Sequence, residues 1–262
     1  MAFTLATWNI NSVRLREPIV CKLLAEESPD VLCLQECKSP VDKIPREQFA
    51  ALGYTHMVAR GEKGYNGVAI LSKLPIEEVG AEDFANLGHA RHIAARLENG
   101  VTIHNFYVPA GGDVADREAN VKFGQKLDYL TGMRDWFHGA RPERAILVGD
   151  LNIAPREDDV WSHKQLLKVV SHTPVEVEHL HDVMQSGDWH DVTRADIPEG
   201  LLYSWWSYRA KDWEAADKGR RLDHVWATGD IRSAAHSSQV LRGARGWEKP
   251  SDHAPVFASF DL

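Results

Sequence analysis

The sequence predicts an α/β protein in which two β-sheets pack face to face with helices outside. Three observations lead there. Short apolar runs bounded by turn residues recur from Phe3 to the C-terminus. Stretches with helical spacing lie between them rather than in one block. No linker, low-complexity tract or fixed-period repeat divides the 262 residues, so a single domain over 1–262 is expected.

Phe3–Ile10 is short and alternating, and reads as a strand. Arg16–Glu27 (REPIVCKLLAEE) reads as a helix, with Pro18 tolerated in its first turn. PDVLCLQE (29–36) is an apolar run cut off by polar residues, as a buried strand would be. GVAILSK (67–73), RHIAARLE (91–98) and VTIHNFYV (101–108) are further strands, and Asn99-Gly100 marks a hairpin between the last two. Phe123, Leu127, Leu130, Met133 and Phe137 recur at helical spacing and predict one amphipathic helix over 116–138. The second half repeats the plan. RAILVGD (144–150) is a buried strand, helices follow to Gly187, and YSWWSY (203–208), RLDHVWAT (221–228) and PVFASFDL (255–262) are strands.

Composition sets bounds on function. Hydrophobic residues make up 44% and charged residues 26%, an ordinary globular balance. No apolar run approaches the roughly 18 residues of a membrane span. The opening MAFTLATWNI has no basic n-region and no long apolar core, which argues against a secretory signal. Cys21, Cys33 and Cys37 are odd in number, lie in apolar segments and have no zinc-like partners, as expected of reduced thiols. These readings point to a cytoplasmic chain. The net charge of −8 argues against a generic polyanion binder, but leaves room for a local basic stripe.

Chemistry gathers where strands stop. Trp8-Asn9-Ile10-Asn11 closes the first strand, Gln35-Glu36 the second, Tyr107-Val108-Pro109 the 101–108 strand and Gly149-Asp150-Leu151-Asn152 the 144–150 strand. Asp223-His224 lies in a late strand, and Asp252-His253 leads into the last. If these ends share one edge of a sandwich, they converge on one pocket suited to moving a phosphoryl group to water. A hard cation such as Mg²⁺ or Mn²⁺ prefers carboxylate oxygens. Glu36 is the first ligand candidate, with Asn9 and Asp252 beside it and Asp150 and Asn152 on the same rim. Asp150, oriented by Asn152, is placed to handle an in-line water. His253 could bind the phosphate or act as base, with Asp223 fixing its tautomer. Tyr107 can donate to a phosphate oxygen. Taken singly, each has a plainer reading: an Asx turn at GDLN, a Glu36–Lys38 pair, a packed Tyr107, an ion pair from Asp223 to Arg220 or Arg221. Their joint recurrence at strand ends favours the chemical one.

These blocks resemble the exonuclease III / apurinic–apyrimidinic endonuclease family, within the endonuclease/exonuclease/phosphatase superfamily. The resemblance runs in order through ATWNINSVRLR, PDVLCLQECK, GYNGVAILSK, YVPAGG, LVGDLNIAP, YSWWSYR, RRLDHVWAT and SDHAPV, essentially the whole chain. It implies a four-layered α/β sandwich of the DNase I-like kind, two mixed sheets flanked by helices. It implies Mg²⁺-dependent incision 5′ to abasic sites, 3′→5′ exonuclease action on duplex DNA and removal of 3′ blocking groups. A monomer is expected. Carried over residue by residue, Glu36 binds the metal with Asn9 and Asp252 close by, and Tyr107 contacts the scissile phosphate. Asp150 and Asn152 handle the water, and Asp223 and His253 form a carboxylate–imidazole pair. Trp205 and Leu222 fall where the family builds the pocket for an extruded abasic sugar, and Arg209 and Lys211 follow on the same loop. Two departures stand out. Ala110-Gly111-Gly112-Asp113 follows Pro109 where many relatives have Asn, and Arg220 precedes RLD where some have an aromatic.

The alternatives are a superfamily phosphatase acting on a small or lipid phosphoester, and a DNA-binding module with a degenerate site. The Trp- and Arg-bearing 203–211 loop counts against the first, and the intact polar set counts against the second. A local basic stripe would reconcile the negative charge with DNA, and Arg14, Arg16, Lys63, Arg91, Arg209 and Lys211 are candidates for it.

Overall fold

The computed structural model describes residues 2–262. In chain order the first half carries β1 (Ala2–Asn9), α1 (Glu17–Glu26), β2 (Val31–Gln35), α2 (Arg46–Ala51), β3 (His56–Glu62), β4 (Tyr65–Ser72), β5 (Ile76–Gly80), β6 (His92–Leu97) and β7 (Thr102–Tyr107). Then come α3 (Val121–Ala140), β8 (Ala145–Asp150), α4 (His163–Leu166), α5 (Pro174–Ser186), β9 (Trp189–Asp191), α6 (Val192–Asp196) and β10 (Trp205–Trp206). The chain ends with α7 (Trp213–Ala216), β11 (Gly219–Arg220), β12 (Asp223–Thr228), β13 (Ala235–Val240) and β14 (Val256–Asp261).

Two six-stranded sheets form, ordered β13-β14-β1-β2-β4-β3 and β5-β6-β7-β8-β12-β9. Each has one parallel pair at its centre, β1 with β2 and β7 with β8, and antiparallel neighbours outside it. The sheets are therefore mixed, and each parallel pair is joined by a helical crossover, through α1 in one sheet and α3 in the other. The inner faces meet in one core that includes Leu5, Val31, Cys33 and Ile70 from one sheet and Ile93, Ile103, Val148 and Val225 from the other. Trp8, Leu32 and Leu34 face the other way, onto Val20, Leu23 and Leu24 of α1. Leu147 and Trp226 likewise meet Leu130, Met133 and Leu180 of α3 and α5. This is the expected α/β sandwich, two sheets flanked by helices.

The period-2 alternation does more than build the core. Leu5, Thr7 and Asn9 point to one side of β1, as do Cys33 and Gln35 of β2, Ile103, Asn105 and Tyr107 of β7, and Val148 and Asp150 of β8. Going up the gap between the sheets, an apolar layer gives way to a polar one. There Gln35 donates to Thr7 Oγ1 at 2.9 Å and to Asn105 Oδ1 at 2.7 Å, while Asn105 donates to Leu34 O and Ala69 O. Above that layer lie Asn9, Tyr107 and Asp150. The candidate residues are the last inward-facing positions of their strands, at the carboxyl ends of the two parallel pairs.

The predicted elements need four corrections. The helix starts at Val121 rather than 116, because the Asp116 carboxylate caps a separate turn at Glu118 and Ala119 and Asn120 caps the helix itself. The 203–208 strand is only Trp205–Trp206, paired with β11 in a small third sheet. The expected boundaries of the central strands shift by one or two residues, ordinary end fraying. Five strands go beyond the expected set: β3, β5, β9 and β13, which are the edge strands of the two large sheets, and β11 of the small one. Among the described residues no helix is long and apolar enough to cross a membrane. Cys33 and Cys37 are buried free thiols.

Candidate active site

Register places the central groups. In the second sheet Asp150 stands opposite Tyr107 of β7 on one side and Asp223 of β12 on the other. Across the gap, Asn9 of β1 stands beside Gln35, and the chain turns at Glu36. Asn11, Glu36, Lys38 and Asn152 all have left-handed backbone, with φ between 48° and 55°. Such conformations are uncommon for non-glycine residues and turn the strand ends sharply out of their sheets.

Hydrogen bonds join these groups into one cluster. Asn9 Nδ2 donates to Glu36 Oε1 at 3.0 Å and to Asp150 Oδ2 at 2.8 Å, so its amide bridges the two sheets. Tyr107 O–H donates to Glu36 Oε1 at 2.7 Å. Asn152 donates twice to Asp150, from its main-chain N–H to Oδ1 at 2.9 Å and from Nδ2 to Oδ2 at 3.1 Å. His253 Nδ1 lies 2.8 Å from Asp223 Oδ2, and Nε2 lies 3.8 Å from Asp150 Oδ2. Asp252 turns to the other side, accepting from Asn11 Nδ2 at 3.2 Å and from Trp205 Nε1 at 3.0 Å.

Several supports were not visible in the sequence. Ser204 Oγ donates to Asp223 Oδ2 at 2.7 Å and accepts from the N–H groups of Leu222 and Asp223. Ser251 Oγ donates to Asn9 O at 2.6 Å, and Trp8 Nε1 donates to His253 O at 2.9 Å. The segment before the last strand is thereby pinned to β1. Arg221, which an ion pair with Asp223 would have used, instead binds Asp159 and Asp191. Asp223 is left to the imidazole. The plain pairing of Glu36 with Lys38 is present as well, Nζ to Oε2 at 2.7 Å.

Burial and neighbouring charge set the protonation states. Burial pushes the Glu36 carboxyl up, but the Lys38 ammonium and hydrogen bonds from Lys38, Asn9 and Tyr107 outweigh it and hold Glu36 below the usual range. Burial and the Glu36 charge push the Tyr107 phenol well above its ordinary value, so it stays a donor. Burial disfavours the His253 cation, yet Asp223 and Asp150 on either side overcome it and raise His253. Asp150 is raised to about 7 by burial, with Asp223 and Glu36 adding to the rise and His253 and Asn9 opposing it.

A cavity of about 780 Å³ opens on this cluster, lined by Glu36, Asp150, Asn152, Asp252 and His253. Its far wall is Trp205, Leu222, Arg220, Arg209, Trp161 and Lys218. Arg220 lies over the Trp205 ring at 5.3 Å and donates to Val170 O and Ser171 Oγ. Leu222 is buried and packs with Ala154, Val160 and Leu166. Trp206, by contrast, is core, packed with Tyr203. Lys211 is exposed on the same loop and does not line this cavity. A second cavity of about 460 Å³ adjoins at Glu36, Ala110 and Gly112 and carries Lys38, Arg91, Tyr107 and Lys122.

The donor set suits a hard cation. Glu36 and Asp252 present carboxylate oxygens at the rim, and a lysine ammonium is already drawn to Glu36. Among the described residues, Asp150, Asp223 and His253 also form a buried cluster with ligand atoms within 4.8 Å of one another. There the imidazole is hydrogen-bonded to Asp223 and stands 3.8 Å from Asp150 Oδ2.

Fold and cluster together define an enzyme of the phosphodiesterase type. The chain belongs to the endonuclease/exonuclease/phosphatase family, which matches it over residues 6–253. It is similar to exodeoxyribonuclease III of Haemophilus influenzae, 27% identical over 267 residues, with 97% of this chain and 98% of that protein covered. An AP endonuclease from Archaeoglobus fulgidus superposes with a TM-score of 0.92 at 32% identity, covering 99% of this chain and 100% of that one. The 3′ phosphatase NExo from Neisseria, bound to a product DNA hairpin, superposes with a TM-score of 0.90 at 32% identity and the same coverage.

Proposed function

We propose that this protein is a DNA-repair nuclease of the exonuclease III type. It hydrolyses phosphodiesters 5′ to abasic sites and trims duplex DNA 3′→5′, 3′ blocking groups included. The observation that carries this reading is the convergence of Glu36, Tyr107, Asp150, Asn152, Asp223 and His253 beside a cavity walled by indole and guanidinium groups. Relatives named exodeoxyribonuclease III, AP endonuclease and 3′ phosphatase favour it over a phosphatase of small or lipid phosphoesters.

Glu36 and Asp252 would hold Mg²⁺ or Mn²⁺, with Asn9, Asp150 and Asn152 around them. When bound, such an ion polarises a phosphate oxygen and offsets charge on the leaving oxygen. Tyr107 reaches the phosphate from the Glu36 side as a protonated donor. His253, its Nδ1–H committed to Asp223, offers Nε2–H to the phosphate and adds positive charge there. Asp223 and Asp150 favour the charged His253, which leaves Asp150, oriented by Asn152, to take the proton from water. Its two oxygens are oriented by Asn152 and Asn9, and a base is most effective when its pKa is near the working pH. Trp205 and Leu222 accept the extruded abasic sugar, whose extrusion costs least because no base remains to stack. Arg220 makes one wall of that pocket polar, and Arg209 meets a flanking phosphate, while Lys211 on the same loop lies outside the cavity. The protein acts as a monomer, and buried free thiols suit the reducing cytoplasm.

The test is cleavage of a duplex carrying one abasic analogue, with Mg²⁺, by wild type and by Asp150→Asn. Wild type should cut at the abasic position. Cutting no faster than Asp150→Asn would sink the reading.

A further inference from the structure

Lys126 lies on the inward face of α3 with its side chain fully buried. Taking an ammonium out of water is strongly unfavourable unless its protons find acceptors. Its three N–H groups meet a carboxylate oxygen of Glu176, the main-chain carbonyl of Asn152 at 2.8 Å and, more weakly, that of Ala110 at 3.4 Å. Glu176, equally buried, accepts from Ser171 N at 2.9 Å, Thr173 N at 3.2 Å and Thr173 Oγ1 at 2.7 Å. One ion pair thus ties together the loop after Tyr107, the Asp150–Asn152 turn and the Ser171 wall of the cavity.

The loop after Tyr107 is shaped for this lysine. Gly111 has φ of +90°, and a Cβ there would come within 3.0 Å of Lys126 Cδ and 3.2 Å of Val170 Cγ1. A buried ion pair is weak evidence for stability, because replacing it by apolar groups of similar volume is often neutral or stabilising. What the pair does fix is the peptide at Asn152. That residue is in left-handed backbone and donates to both oxygens of Asp150.

We propose that Lys126 is a positioning residue for the reaction: its ammonium holds the Asn152 carbonyl and thereby sets the orientation of the Asp150 carboxylate. The inference rests on the proposed function, since it needs Asp150 to work at the scissile phosphate. Lys126 touches no substrate. Its removal should therefore slow turnover and leave DNA binding nearly intact.

The experiment measures kcat, KM and the thermal midpoint with abasic duplex and saturating Mg²⁺ for wild type, Lys126→Met/Glu176→Gln and Lys126→Gln/Glu176→Gln. A misalignment on the scale of 1 Å costs on the order of 10²-fold, so kcat of the Met variant should fall by about that factor with KM within about threefold. The Gln variant, which restores an N–H near Asn152 O, should recover about tenfold of that loss at a similar thermal midpoint. A folded Met variant with wild-type kcat overturns the proposal, as do Met and Gln variants with equal kcat. Unfolding of both at the assay temperature also overturns it, since the pair would then serve stability. Absence of wild-type cleavage in the same assay counts instead against the proposed function.

Discussion

Asp150 shows how surroundings set the state of one side chain. Its carboxylate is the last inward position of β8, between Tyr107 and Asp223 in register, and four donors or cations surround it. Burial lifts it toward neutrality, and the imidazole beside it is the stronger proton holder. If Asp150 is the base, Asp150→Asn in the abasic-cleavage assay should lower kcat by about 10²–10⁴-fold, the usual contribution of general-base catalysis. Asp150, Glu36 and Tyr107 were legible in the sequence because each stands where an apolar run stops, and His253 because it leads into one. Lys126, Ser204 and Ser251 were not. A lysine on a helix and a serine in a loop carry no local sign of burial, and their partners lie 16 to 242 residues away.

At the scale of elements, the central strands and long helices were readable because they are buried on both faces or on one clear stripe. The missed strands are all edges, with one neighbour each and mostly half-exposed side chains; β3 has no fully buried residue. Their pattern is weak for that physical reason. Strand β6 and β7 also carry a prediction. His92 Nδ1 accepts from the Glu82 N–H at 3.0 Å, and its Nε2 lies 3.2 Å from His104 Nδ1. His92 stacks on Phe106 with ring centroids 4.2 Å apart. Burial holds both imidazoles neutral, His104 down to about 4 and His92 well below its ordinary value, where His104 and Arg60 add to the effect. The unfolded chain titrates near 6.5 and so binds more protons than the fold below that pH. Stability should be fully present above about pH 6.5 and fall as the pH drops toward 4, by up to about 1.4 kcal/mol per pH unit for each histidine. Urea unfolding across that range checks it, and His104→Phe should flatten the fall. A wild-type stability that is constant between pH 6.5 and 4.5 would contradict it.

On the scale of the whole molecule, a net charge of −8 has to coexist with DNA. Of the six basic residues singled out in the sequence, Arg91 and Arg209 line the two cavities and Arg14, Arg16, Lys63 and Lys211 do not. The cations that do line them are Lys38, Arg91 and Lys122 in one and Arg209, Lys218 and Arg220 in the other. These six cations, only two of them among those anticipated, share the lining with Glu36, Asp113, Asp150 and Asp252. With at most about six phosphates neutralised, log Kd should change with log salt by a slope no steeper than about 5. A slope implying about ten contacts would mean that DNA also binds outside the cavities. The central claim concerns the bond broken and the group that attacks it. Cleavage of abasic duplex in H₂¹⁸O, with both product ends analysed by mass spectrometry, tests it most directly. The account predicts one ¹⁸O in the 5′-phosphate of the abasic fragment and a free 3′-hydroxyl on the other. An unlabelled phosphate with an unsaturated sugar on the 3′ end would mean elimination rather than hydrolysis, and would contradict it.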